Sequence, residues 1–175
     1  MNTFETQVDF HNRRAIVPEG HDVRITLTTV QDLASVVVKA VEYEGEWPVN
    51  GGVQGCEISI SELVRLGEEI RGKSFRSQGQ LLLTSHRLVG GFTVEKLKID
   101  DLKAGLVNTT WLPIVDHPAI PAEQAHSLAE MFLAGFTLAI SAGELNASDE
   151  WNRLLPELEF TQPREFLTEA WKGKH

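Results

Sequence analysis

The chain holds a single cysteine, Cys56, among 175 residues. It can form no internal disulfide and no cysteine-based zinc site. Basic side chains are also scarce, with 16 Lys and Arg against 25 Asp and Glu and a net charge of −9. Nucleic acids and anionic membranes are bound through clustered Lys and Arg, so this balance argues against both as partners. No apolar run approaches the ~18 residues that would span a bilayer. The opening MNTFETQVDFHNRR has no apolar stretch of signal-peptide length. These absences together lead to the expectation of a cytoplasmic protein with no nucleic-acid and no membrane partner. The remaining composition, 42% hydrophobic and 23% charged, is ordinary for a folded domain.

The familiar catalytic signatures are missing as well. The only tyrosine is Tyr43, and Trp47 stands four residues later. A Tyr-x-x-x-Lys pair, in which lysine lowers the tyrosine pKa for acid–base work, is therefore excluded. No Gly-x-Ser-x-Gly elbow occurs, and no glycine loop is followed directly by Lys-Ser or Lys-Thr. The glycine cluster Gly51-Gly52-Val53-Gln54-Gly55 is the one candidate phosphate cradle. It lacks a following strand that ends in Asp or Glu at the distance a dinucleotide site needs, so a glycine-rich turn is the favoured reading.

The histidines His11, His21, His86, His117, His126 and His175 include no His-x-x-x-His pair. His117 follows Asp116 and could be oriented by it, and His126 falls within a predicted helix. Structural roles are favoured for both over catalysis. Cys56 beside Glu57 has no adjacent cation to activate a thiolate. Of the tryptophans Trp47, Trp111, Trp151 and Trp171, Trp111 is the substrate-pocket candidate, because it lies in a mid-chain loop rich in proline. No residue is assigned a catalytic, cofactor-binding or metal-binding role.

What is present reads as an α/β chain. Val23–Thr28 alternates apolar and polar residues, as a half-buried strand does. Thr29 caps a following helix with Asp32 as its acidic partner, and Leu33, Val37, Ala40 and Val41 form its expected apolar face. A short extended piece at Trp47–Asn50 enters the glycine cluster. Ser59 and Glu62 open a second helix with Ile60, Val64, Gly67 and Ile70 as its stripe. Gly72 should lie just past that helix, and Arg71 suits its negative C-terminal end. Phe92–Ile99 reads as a strand with a bulge near Glu95, and Asp100-Asp101 begins a short helix ended by Gly105. An irregular stretch follows to Pro121, then a long helix over residues 122–143 with Ala125, Leu128, Phe132, Phe136 and Ile140 as its stripe. Pro163 opens the last helix.

Between Gly72 and Phe92 lies KSFRSQGQLLLTSHRLVGG, an apolar burst flanked by polar residues and glycines. Removing the stretch from Arg76 to Phe92 joins GKSF to TVEKLKI, a short helix–loop–strand connection. The stretch reads either as a short strand in a surface hairpin or, over residues 76–92, as a non-native insertion, a retained intron read in frame.

The run VRITLTTVQDLASVVVKAVEYEGEWPVNGG resembles the C-terminal half of the NmrA-like and isoflavone-reductase-like family, atypical extended short-chain dehydrogenases. Matching features, in order, are Thr29-Val30-Gln31-Asp32, Asn50-Gly51-Gly52, the Ser59–Leu63 helix start and Arg71-Gly72-Lys73. Leu155-Pro156-Glu157-Leu158, Pro163-Arg164-Glu165-Phe166-Leu167 and Ala170-Trp171 follow, and Ala15–Gly20 matches a turn before the strand. The likeness covers roughly residues 15–73 and 92–173. It implies a partial Rossmann-type region: the last parallel strands plus a mostly helical substrate-binding part, all within one domain. It also implies that NADP(H) and the catalytic lysine or tyrosine belong to a preceding half with no counterpart here. This chain is then expected to be the substrate-binding portion of an NAD(P)-dependent reductase-like protein acting on a small molecule, inactive alone. The alternative is a non-enzymatic dinucleotide-sensing or protein-interaction regulator of the same type. A chain without its central strands is expected to expose apolar surface and to be marginally stable.

Overall fold

A computed structural model describes residues 7–20, 22–72, 91–115 and 118–174. The fold is mixed α/β, with two small sheets and six helices among the described residues. In the first sheet β1 (Val8–Asp9) pairs antiparallel with β2 (Arg14–Pro18), and β2 pairs parallel with β5 (Thr93–Leu97). The second is an antiparallel pair, β3 (Arg24–Leu27) with β4 (Cys56–Ser59). The connection from β2 to β5 carries β3, α1 (Val30–Val41), β4 and α2 (Ile60–Gly72). After β5 come α3 (Ile99–Lys103), α4 (Ala122–Ser141), α5 (Glu150–Leu154) and α6 (Pro163–Ala170).

Local chemistry explains where the helices begin. The Thr29 hydroxyl accepts the Asp32 amide at 3.0 Å. At α2 the box is reciprocal: the Glu62 amide donates to Ser59 Oγ at 3.1 Å, and the Ser59 amide donates to Glu62 Oε2 at 3.0 Å. Each bond satisfies an amide that the first helical turn leaves without a partner. Pro121 is the N-cap of α4 rather than its first helical residue. Gly105, at φ 80°, ends the turn after α3.

The helix faces depart from expectation. On α1 the buried residues are Val36 and Ala40, whereas Leu33, Val37 and Val41 are exposed, Val41 at 76%. On α4 the buried stripe is Ala129, Leu133, Thr137 and Ile140. Ala125, Leu128 and Phe136 are only half-buried, and Phe132 is half-exposed. Thr137 is accepted inside because its hydroxyl donates to the Leu133 carbonyl at 2.7 Å and accepts from Gln7 Nε2 at 2.9 Å. The Ile60 and Val64 positions of α2 are buried as expected, joined by Leu63 and Leu66.

Several boundaries also need correction. β5 pairs residue for residue from Arg14↔Thr93 to Pro18↔Leu97, so no bulge forms at Glu95. Trp47–Asn50 is not a strand, and the extended segment is Cys56–Ser59 instead. Gly72 is the last residue of α2, not the residue beyond it. Within Ala15–Gly20, the first four residues belong to β2, and the turn begins only at Glu19. Of the candidate insertion, residues 76–90 lie outside the described residues. Its last residue, Phe92, meets the Phe10 ring edge-on at 5.9 Å.

Three apolar clusters hold these elements together. The first joins Phe10, Ile25, Ile58, Ile60, Leu63 and Leu167. The second joins Ile16, Leu97, Leu102, Trp111 and Leu133. The third, Val36, Ala40, Trp151 and Leu155, attaches α1 to α5.

Candidate functional site

The glycine cluster is already occupied by the protein's own acceptors. The Gly52 amide donates to Glu150 Oε2 at 3.4 Å, the Gln54 amide to Asn152 Oδ1 at 2.9 Å, and the Gly55 amide to Thr28 Oγ1 at 3.1 Å. A phosphate cradle needs these N–H groups free and no carboxylate among them. Gly51 takes φ 62°, and a Cβ on Gly52 would collide with the Ser148 backbone. The glycines are thus required by a turn packed against α5.

The four tryptophans do not converge. Trp111 is buried in the second cluster beneath Arg14, whose guanidinium carbon sits 4.3 Å from the ring centroid. It lines neither of the two apolar clefts described below. Trp47 and Tyr43 both meet Trp151 edge-on, at 5.2 and 5.7 Å. Trp171 lies under Arg71 at 4.1 Å. His126 is exposed on α4, with Nε2 3.6 Å from Glu130. His21, His86, Asp116, His117 and His175 lie outside the described residues. No group of three His, Cys, Asp or Glu among the described residues is placed to hold a metal. Among them, too, no helix is long and apolar enough to cross a membrane.

Two apolar clefts stand out among the described residues. The first, about 340 Å³, lies between the end of β3 and α6 and is lined by Leu27, Thr28, Thr29, Cys56, Leu63 and Phe166, among others. Its hydroxyls are engaged elsewhere. Thr28 donates to the Val53 carbonyl at 3.3 Å, Thr29 accepts from Asp32, and Thr161 donates to Asp32 Oδ1 at 3.1 Å. Burial pushes the Cys56 thiol pKa up, against a smaller opposing effect from a Leu27 backbone hydrogen bond. It is therefore a neutral thiol at physiological pH and a poor nucleophile.

The second cleft, about 460 Å³, runs along the outer face of α4. Leu128, Met131, Phe132, Gly135 and Phe136 form its floor, and Val115 and Ile120 reach it from the connection before α4. The Phe132 and Phe136 rings stack at 5.8 Å, 15° from parallel. The irregular stretch that holds Trp111 does border a cleft, but through Val115 and Ile120. The sequence signal for the floor is the apolar 128, 132 and 136 positions, whose helical spacing also fits a core stripe.

The electrostatics are local. Asp9 is largely buried, which alone would raise its pKa. Hydrogen bonds from Asn12, and Arg14 at 2.8 Å, outweigh that and hold it below the ordinary aspartate value. Glu95 is likewise lowered, because bonds from Thr109 and Thr110 outweigh its desolvation.

No protein family, curated protein or solved structure matches the chain.

Proposed function

We propose that the chain is the C-terminal, substrate-binding portion of an NmrA-like, NAD(P)-dependent reductase-like protein, inactive on its own. The observation that carries this reading is the outer face of α4. Leu133 and Ile140 are fully buried on one side of the helix, while Leu128, Met131, Phe132 and Phe136 line an open apolar cleft on another. A helix that is apolar on two faces belongs between two layers. A cleft of about 460 Å³ with a stacked aromatic floor is of a size and chemistry that take a small apolar substrate. On this reading the parallel pair β2–β5 would belong to the last strands of a Rossmann-type sheet, and the helices after it to the substrate-binding part. NADP(H) would be held by a preceding nucleotide-binding half, since the Gly52, Gln54 and Gly55 amides are engaged within the chain.

The exposed valines and leucine of α1 favour a second reading, a non-enzymatic regulator that works through protein contacts. Calorimetric titration separates the two. The chain alone should give no heat with NADPH, and low-micromolar binding would overturn the proposal. A small aromatic aldehyde should bind in the millimolar range and lose that binding in Phe132→Ala. If the aldehyde does not bind either, the regulator reading gains.

A further inference from the structure

We propose that Arg13 and Arg71 form a binding site for a dianionic oxyanion, a phosphate group. Arg71, on the last turn of α2, is only 6% exposed. Buried guanidinium groups are ordinarily paired with a carboxylate, yet none meets Arg71 among the described residues. Its Nη2 donates to the His11 carbonyl at 3.3 Å, its face rests on Trp171 at 4.1 Å, and its Nε is buried without a partner.

A second cation lies at the same end of α2. Arg13 Nη2 reaches the Arg71 carbonyl at 3.5 Å, and Arg13 also forms no ion pair among the described residues. Arg13 sits at φ 54° in the turn between β1 and β2. Such a position is usually filled by glycine or asparagine. An arginine here brings a guanidinium to the end of α2 that the turn itself does not need.

The neighbouring acids are engaged elsewhere. Asp9 pairs with Arg14, Glu69 with Arg164 at 2.6 Å, and Glu169 with Lys172 at 3.4 Å; Glu68 accepts the Phe92 amide at 3.1 Å. Lys174 adds a third cation, 5.7 Å from the Trp171 ring. Trp171 Nε1 is a further buried donor without a partner among the described residues. The cluster thus offers donors and positive charge with no anion among the described residues, in a chain whose net charge is −9. An acceptor-only ligand with two negative charges balances two guanidinium charges.

The test is thermal unfolding of the whole chain at pH 8 in inorganic phosphate, sulfate or acetate, at constant ionic strength. Phosphate and sulfate should raise Tm with the logarithm of their concentration once it exceeds a half-saturation in the millimolar range. The rise should reach about 5 °C or more at 100-fold excess over half-saturation. Acetate should leave Tm unchanged. Arg13→Gln alters a half-buried turn residue and should fold normally by circular dichroism, yet lose most of the rise. Arg71→Lys keeps the charge but not the fork and should also lose most of it. If that variant does not fold, Arg13→Gln decides alone. An absent rise, an equal rise with acetate, or an equal rise in wild type and Arg13→Gln would overturn the proposal.

Discussion

Helices α1 and α2 start with the same kind of capping signal and end up in different surroundings. Thr29 and Ser59 both accept the amide of the residue three positions on. α1 has the more apolar sequence, yet it buries only Val36 and Ala40. α2 buries Ile60, Leu63, Val64 and Leu66. The difference lies in what each helix packs against. α2 lies on the first cluster, where β1, β3, β4 and α6 all contribute, whereas α1 is attached through the small third cluster and the hydrogen bonds from Thr161 to Asp32. A cap fixes where a helix begins, and the neighbouring layer decides which residues are removed from water. The surplus apolar surface of α1, like the outer face of α4, is surface for which the chain supplies no covering layer among its described residues.

The largest effect should separate the two helices outright. Ile60→Ala on α2 removes a side chain that is 1% exposed and should destabilise the protein by about 2–4 kcal/mol. Val41→Ala on α1 should change stability by less than about 0.5 kcal/mol. Urea unfolding of both variants checks the pair. Equal losses would mean that α1 is buried in solution and that the comparison fails.

Legibility in the sequence followed the same division. β3, the starts of α1 and α2, α3, α4 and α6 could be read because each rests on alternation, a cap, a proline or a terminating glycine within a few residues. β2 was not read as a strand, since Ala15 and Ile16 are both fully buried and leave no alternation. α5 has only five residues and no side-chain cap. The faces of α1 and α4 could not be read because both helices carry apolar residues around more than one side. On α4 a buried Gln7–Thr137 hydrogen bond places a polar residue in the core stripe. The cleft was legible only as a proline-rich stretch, and Trp111 was its most conspicuous residue rather than its lining one. The Arg13–Arg71 cluster gave no signal at all, because its members are separated by 58 positions.

Caps should behave alike where faces do not. Thr29→Ala and Ser59→Ala should each cost about 1 kcal/mol, because the capping bond is local and indifferent to the layer behind the helix. Unfolding midpoints measured side by side test this. A loss at Ser59 several times that at Thr29 would show that the cap is coupled to burial. A smaller effect is expected from charging the open face of α1. Val37→Lys with Val41→Lys should move stability by no more than about 0.5 kcal/mol. It should also suppress any self-association seen by sedimentation velocity. A large loss of stability would instead show that these valines are packed.

The smallest effect concerns the carboxylate in the box of α2. Glu62 accepts the Ser59 amide and lies 3.3 Å from Arg24 Nη1. The amide bond, then the Arg24 charge, hold its pKa below the ordinary glutamate value, against some desolvation. A carboxyl whose pKa is lowered in the folded state releases its proton more readily there than in the unfolded chain. Its contribution is therefore fully present above the ordinary glutamate value of ~4.3 and fades as pH falls through the lowered folded value. Glu62→Gln keeps a side-chain oxygen for the Ser59 amide but has no proton to lose. It should flatten the acid limb of stability against pH, while leaving the part of that slope due to Asp9 and Glu95, whose pKa values are also lowered. Urea midpoints from pH 6 to pH 3 would show this. An unchanged acid limb in Glu62→Gln would mean that the box at α2 holds through the Ser59 hydroxyl alone, as the cap of α1 does through Thr29.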